Sequence, residues 1–365
     1  MKIDDYFRFE AMPRRIEDLE TPVPIIDIDI ADHNLRRWQE RCRSAGLANR
    51  PHIKTHKLVP MARYQEALGA SGITVQKLGE AEVMADAGLS DMLLTFNVVG
   101  RHKLERLAAL ARRTAISVVA DDPALDEGLS WAGGEAGRPI SVLVECDTGA
   151  GRNGVQTPAA TADLAAMIDG AAGLSFGGLM TYPKTGRRLQ ARSFFEETKA
   201  TLDRLGLPAA VVSSGGSPEM WSDEGLEPVT EYRAGTYVYF DRALAERKTC
   251  DYGDCALTVL ATVVSRPTGE RAIVDAGSKA LTSDLLGLSG YGIVQDLGKA
   301  RIYDVNEEHG YLDLKDAPRQ PRIGETVRIT PNHVCPVTNL YDKVVFVRGE
   351  EVLGAVPVDA RGKVQ

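Results

Sequence analysis

The chain has 365 residues, 44% of them hydrophobic and 26% charged, enough for a large core and too apolar for extended disorder. A net charge of −8 and the lack of any long basic run exclude the electrostatic footprint of a nucleic-acid binder. The start, MKIDDYFRFE, has no apolar stretch of signal-peptide length, no membrane-spanning apolar run follows, and the five scattered cysteines do not form a disulfide framework, so a cytoplasmic protein without membrane contact is expected.

From residue 23 to about 240, short β-branched runs alternate with longer helical patterns, the mark of βα units around a parallel sheet. VPIIDIDI opens the series. The helix after it has Asp32 as cap, Leu35, Trp38 and Cys42 on one face, and Gly46 as stop. With the stretch at RPHIK, the runs GITVQKLG, DMLLTFNVV, TAISVVADD, ISVLVECD, LSFGGLMTY and PAAVVSSGG bring the count to eight strands, the number that closes a (β/α)8 barrel. An open doubly wound sheet shows similar alternation. After about residue 245 the texture changes to apolar runs broken by Gly, Pro and charged pairs, an antiparallel β domain. The expected division is residues 1–22 as a segment on the β domain, 23–244 as the barrel, and 245–365 as the β domain.

In a barrel, reactive groups sit where strands end. Lys54, in RPHIKTHK (residues 50–57), follows an extended Pro51 segment and is placed to hold an aldehyde cofactor as a Schiff base; a solvated basic loop is the plainer alternative. SSGGS (213–217) and RAGTY (233–237) offer converging backbone amides for a phosphate, or are simple βα turns. DTGAGRNG (147–154) leaves Arg152 in a loop within reach of a ring or carboxylate. In RITPNHVCP, His333 and Cys335 are one residue apart; on an extended segment both side chains face one ion, and imidazole with thiolate favours zinc. A core histidine beside a buried cysteine is the competing explanation, and the same ambiguity attaches to His52 and His56. Asp275, Gly277, Lys279 and His309 read equally well as polar groups at a domain interface.

Taken in order, RPHIKTHK, VQKLGEAEVMADAG, VECDTGAGRNGV, SSGGS, RAGTYVYFD, VDAGSKA, PNHVCPVTNLYD and VDARGK resemble the fold-type III pyridoxal phosphate enzymes of the D-threonine aldolase and D-serine dehydratase family, in the alanine racemase-like superfamily. The resemblance spans nearly the whole chain. It implies a barrel that holds pyridoxal 5'-phosphate, with Lys54 carrying the cofactor and His52 and Tyr182 counted with it as catalytic. Gln76 and Arg152 would meet the ring substituents, Tyr182 the ring, and Ser214, Gly215, Gly216, Ser217, Gly235 and Thr236 the phosphate. His333 and Cys335 would bind a divalent metal, zinc before manganese or magnesium. A homodimer acting on a small D-amino acid is implied.

The implied reaction is cleavage of a D-β-hydroxy-amino acid to glycine and an aldehyde. The alternative is dehydration of D-serine or D-threo-3-hydroxyaspartate to a 2-oxo acid and ammonia, which Cys335 favours where aldolases of the family carry aspartate. Lys184, Arg187 and Arg188 after Tyr182 would suit a second substrate carboxylate, or are ordinary loop charges. A racemase would need a second base and no metal. A non-catalytic cofactor carrier would not need the roughly 120 residues beyond the barrel.

Overall fold

The computed structural model describes residues 1–365, which form two compact units. An α/β unit comprises Trp38–Lys54, Gln65–Gly235 and Lys363–Gln365; a β unit comprises Met1–Arg37, Thr55–Tyr64 and Thr236–Gly362. No helix is long and apolar enough to cross a membrane.

The α/β unit carries eight parallel strands in the spatial order Ala48–Asn49, Glu231–Tyr232, Val211–Ser214, Leu174–Met180, Ile140–Glu145, Ala115–Ala120, Asp91–Leu94 and Ile73–Val75. A parallel bridge from His52 to Thr74 joins the two ends, making the (β/α)8 barrel. The segment that closes it bonds both ways: the His52 amide donates to the Ala234 carbonyl at 2.9 Å, and the Thr74 amide to the Pro51 carbonyl at 2.8 Å. Helices start where the sequence supplies caps, as at Thr157, whose hydroxyl accepts the Ala160 amide ahead of Pro158. Leu93, Val119, Leu143 and Met180, with Val211 against them, form a buried cluster drawn from five neighbouring strands. Each such side chain contributes about 1.5–3 kcal/mol by leaving water.

The β unit is a nine-stranded sheet ordered Arg271–Val274, Gly310–Asp313, Ala300–Val305, Gly292–Val294, Thr326–Pro331, Leu257–Thr268, Val23–Asp27, Lys343–Arg348 and Glu351–Pro357. Arg271–Val274 also pairs with Leu257–Thr268, which closes one arm on itself. Val23–Asp27 corrects the sequence reading. The expected first barrel strand instead lies between Leu257–Thr268, antiparallel, and Lys343–Arg348, parallel. Its place in the barrel is taken by Glu231–Tyr232. A five-residue apolar run looks alike in either sheet; here Ile25 is buried with Ile16, Leu19, Leu260 and Val345, a partner set that periodicity does not encode. The cap of the following helix, Ile28–Ser44, is likewise Asp27, which accepts the Asp29 and Ile30 amides, while Asp32 lies inside the helix paired with Arg36.

One glycine of the barrel is constrained by contact. Val142 pairs with Phe176 and Leu143 with Gly178, so Gly177 is an inserted residue, and Gly178 takes φ +135°. A Cβ on Gly178 would sit 2.1 Å from the Val211 carbonyl oxygen, whereas one on the exposed helical Gly134 would meet nothing within 4 Å. Gly178→Ala is therefore expected to cost about 2 kcal/mol or more in urea unfolding, and Gly134→Ala to leave stability unchanged or raise it by about 0.5–1 kcal/mol.

Candidate active site

The crowding of basic groups in residues 50–57 resolves into separate tasks. Arg50 is almost buried and bonds Glu231 through Nε at 2.5 Å and Asp91 through Nη1 at 2.7 Å. His56 is fully buried and its Nδ1 accepts the Leu58 amide at 3.0 Å. Lys57, also buried, donates to the Ala360 carbonyl at 3.3 Å. His52 and Lys54 share one acceptor. Gln76 is held by the donation of its Nε2 to the Thr95 carbonyl at 2.8 Å, which turns Oε1 toward Lys54 Nζ at 3.4 Å and His52 Nε2 at 3.1 Å. His52 Nδ1 accepts the Lys54 amide at 3.4 Å, so the ring proton sits on Nε2 and is donated to Gln76. Lys54 thus stands on the 3-10 turn Ile53–Thr55, just past the barrel-closing bridge, with its amine directed at the Gln76 side-chain oxygen.

The glycine turn after Val211–Ser214 is built for close approach. Gly215 and Gly216 take φ +128° and +156°; a Cβ on the first would strike the Tyr232 ring at 2.7 Å, and on the second Tyr182 Cε2 at 2.8 Å. Ser217 opens a 3-10 turn, and its buried Oγ has no hydrogen-bond partner within the protein. An orphaned hydroxyl beside converging amides fits a phosphate, which would supply the missing partner. Tyr182 is 40% exposed, and the Arg152 guanidinium carbon lies 5.3 Å from its ring centre. Lys54, Gln76, Arg152, Tyr182, Ser214 to Ser217 and Gly235 all belong to the α/β unit, and this set fits pyridoxal phosphate.

Beneath the turn runs a buried network that the sequence reading missed. The Ser213 hydroxyl donates to Glu231 Oε1 at 2.6 Å and accepts from Arg233 Nε at 2.8 Å, while Arg233 Nη2 donates to the Thr181 carbonyl at 2.5 Å. Burial pulls the proton affinity of the Arg233 guanidinium down, and Glu231 and Glu145 oppose that pull. The available signal was the lone acids closing apolar strands, as Glu145 closes ISVLVE.

In the β unit, His333 caps the helix Val334–Leu340 and Cys335 lies in its first turn, so the pair sits at a strand-to-helix junction and not on the extended segment expected. They still meet, through a side-chain hydrogen bond. His333 Nδ1 bonds Asp284 at 2.8 Å, the kind of carboxylate support that orients metal-binding histidines. Burial opposes its charge, but Cys335, Asp284 and the buried Asp241 push the imidazole up to about 9. The Cys335 thiol also lies 3.2 Å from the Thr55 hydroxyl and 3.7 Å from that of Thr236. Cys335 is the one half-buried cysteine; burial pushes Cys42 and Cys146 up to about 12 and leaves them inert. No group of three or more His, Cys, Asp or Glu residues is poised around a single ion, so the protein offers two donors, imidazole and thiol.

Arg188 departs from its expected role as a substrate-facing cation. It is buried, with Nη1 donating to the Glu219 and Ser222 carbonyls, whereas Lys184 and Arg187 are exposed. Asp275 accepts the Thr262 amide and the Thr21 hydroxyl, and Lys279 pairs with Glu308 on the surface; both stay within the β unit.

Two family models match the chain: alanine racemase, N-terminal domain, over residues 26–243, and putative serine dehydratase domain over residues 256–347. The 3-hydroxy-D-aspartate aldolase of Paracoccus denitrificans (strain Pd 1222) is 33% identical over 97% of this chain and 95% of that protein. The D-threo-3-hydroxyaspartate dehydratase of Delftia sp. (strain HT23) is 36% identical over 87% of this chain and 91% of its own. The crystal structure of D-threonine aldolase from Filomicrobium marinum matches with a TM-score of 0.91 at 35% identity, covering 98% of this chain and 100% of that one.

Ser217→Ala is expected to leave the fold intact and to weaken pyridoxal phosphate binding about tenfold or more in an absorbance titration, the loss of one charge-assisted hydrogen bond. Pyridoxal, which lacks the phosphate, should bind both forms equally.

Proposed function

We propose, from the premise that this chain belongs to the alanine racemase-like family of pyridoxal phosphate-dependent enzymes and is a lyase related to D-threonine aldolase and D-threo-3-hydroxyaspartate dehydratase, that it cleaves D-β-hydroxy-amino acids between Cα and Cβ to give glycine and an aldehyde. The observation that carries a metal-assisted lyase over a racemase is the pairing of His333 and Cys335, with Asp284 behind it, in a chain that also presents Lys54 at the barrel's closing segment. A racemase has no use for that pair.

Lys54 is the residue that would hold the cofactor, whose ring, when bound, supplies an acceptor for the electron pair released at Cα. His333 and Cys335 would hold a divalent ion, which supplies Lewis acidity at the substrate's β-hydroxyl. Zinc is the metal this donor pair favours over manganese or magnesium. The chain's own residues set the rest. Gln76 and His52 fix the direction of the Lys54 amine, and Gly216 with Tyr182 leaves no room for a side chain above the phosphate turn. On the same reading the enzyme works as a cytoplasmic homodimer.

Dehydration is the second reading, and a specific observation favours it: the thiol of Cys335 stands in the stretch matched by the serine dehydratase domain, which also contains His333. In that case Lys54 would remove the Cα proton and hydroxide would leave Cβ as water, and the resulting enamine, after tautomerising to the imine, would be hydrolysed by one water to a 2-oxo acid and ammonia.

Protein supplied with pyridoxal phosphate and zinc is expected to release glycine from D-threonine or D-threo-3-hydroxyaspartate, and EDTA should abolish that release. Production of 2-oxo acid and ammonia in place of glycine would establish the dehydratase reading; racemisation that survives EDTA would remove the metal from the reaction altogether. His333→Ala and Cys335→Ala are each expected to lose at least about 100-fold in kcat/KM, the several kcal/mol a Lewis acid contributes. Both variants should keep the cofactor's absorbance band, because Lys54 is untouched.

A further inference from the structure

We propose that Glu145, Asn153 and Arg152 form a closed positioning triad, in which a buried carboxylate aims the Arg152 guanidinium at the ring of the bound cofactor. The inference rests on the reading that pyridoxal phosphate occupies the α/β unit, and it assigns a role to Glu145 and Asn153, which the reaction above does not use.

The local fold makes the triad. Glu145 ends the strand Ile140–Glu145, and the chain then loops out and returns. Asp147 accepts the amides of Gly149 and Gly151, and the Val155 amide donates to the Glu145 carbonyl at 2.8 Å, so the loop folds back onto the end of its own strand. Gly154 sits at the return with φ +122°; a Cβ there would come within 2.4 Å of the Asp147 nitrogen, which leaves glycine as the residue that fits. The return brings three side chains into a ring. Asn153 Nδ2 donates to Glu145 Oε2 at 2.7 Å, Arg152 Nε donates to Asn153 Oδ1 at 2.9 Å, and Arg152 Nη2 lies 3.6 Å from Glu145 Oε1. Arg152 Nη1 is left for a ligand.

Burial separates this from an incidental ion pair. The Glu145 side chain is 2% exposed and that of Arg152 is 60% exposed. Exposed arginine pairs hold no fixed direction, but here Nε is hydrogen-bonded to Asn153, which is itself held by the buried Glu145, and Nη2 lies within ion-pair range of the same carboxylate. A carboxylate out of water is costly to keep, and one at a strand end beside a ligand bed is a functional candidate. Burial raises the proton affinity of Glu145; Arg152 and Arg233 oppose that and Asp121 adds to it, so two cations and one anion face the carboxylate along with the Asn153 amide. Glutamine at 145 would keep the shape, remove the charge and set an NH2 group against donors.

The test is a double-mutant cycle read as pyridoxal phosphate affinity in an absorbance titration, with thermal melting of the cofactor-free variants alongside. Glu145→Gln, Asn153→Ala and Arg152→Ala are each expected to weaken binding by about tenfold. The double variant Glu145→Gln/Arg152→Ala should be no weaker than Arg152→Ala alone, because both act through one guanidinium. Glu145→Asp should recover part of the affinity, and the cofactor-bound absorbance maximum should move in Glu145→Gln but not in Glu145→Asp. Additive losses, wild-type affinity in Glu145→Gln, or a loss of affinity that only follows a lowered melting temperature would overturn the triad. If Glu145→Gln fails to fold, the cycle of Asn153→Ala with Arg152→Ala decides by the same criterion. Wild-type protein that binds no cofactor while Lys54→Ala behaves identically would instead overturn the functional reading on which the triad depends.

Discussion

Arg50 stands between two carboxylates, Glu231 at 2.5 Å and Asp91 at 2.7 Å, on the short segment that turns an eight-stranded sheet into a ring. That segment's strand proper is only Ala48 and Asn49, and single backbone bonds from Arg50 and His52 on one side and to Asn49 and Pro51 on the other carry the pairing onward. The charge of Arg50 ties the segment to neighbours on both sides, and breaking its buried pair with Glu231 costs about 3–5 kcal/mol because the other charge is left uncompensated. The position of Lys54, four residues on, depends on this closure.

The same economy of charge organises the rest of the α/β unit. Glu231 is shared between Arg50 and Ser213, and Ser213 between Glu231 and Arg233. Each buried ion therefore has a partner, and the glycine turn above can remain open because the network below it is satisfied. Ser217, in that turn, is not satisfied. Its hydroxyl is buried without a partner at the place where amides converge, the kind of unmet polar group that natural interiors tolerate at binding sites. In the β unit, Asp284 restrains His333 while the Cys335 thiol rests against hydroxyls. Neither neighbouring hydroxyl carries a charge that would compete with the thiol for a metal ion.

Much of this was legible in the residues. The alternation of β-branched runs with amphipathic helices announced a parallel barrel, RPHIKTHK and SSGGS stood out as candidate sites because each places polar groups at a strand end or turn, and the H-x-C pair because imidazole and thiol lie one residue apart. Val23–Asp27 was misplaced because a short apolar run carries no label for the sheet it joins. His333 and Cys335 were expected on an extended segment; the helix Val334–Leu340 begins there instead. Arg188 looked like its neighbours Lys184 and Arg187, yet carbonyls supplied by residues 219 and 222 draw it inside. Glu145 was overlooked because one acid in an apolar run reads as noise until its partners are known.

Order and residue type along the chain determined the two-part architecture, the lysine, the glycine turn and the metal-type donors, because propensity, turn chemistry and donor softness are local properties. Which sheet Val23 joins, which cations are buried, which nitrogen of His52 carries the proton, and that Glu145 anchors Arg152 were decided only in the folded protein. These depend on contacts between segments far apart in the chain, or on a loop returning to its own strand, and no local pattern specifies the partner on the other side.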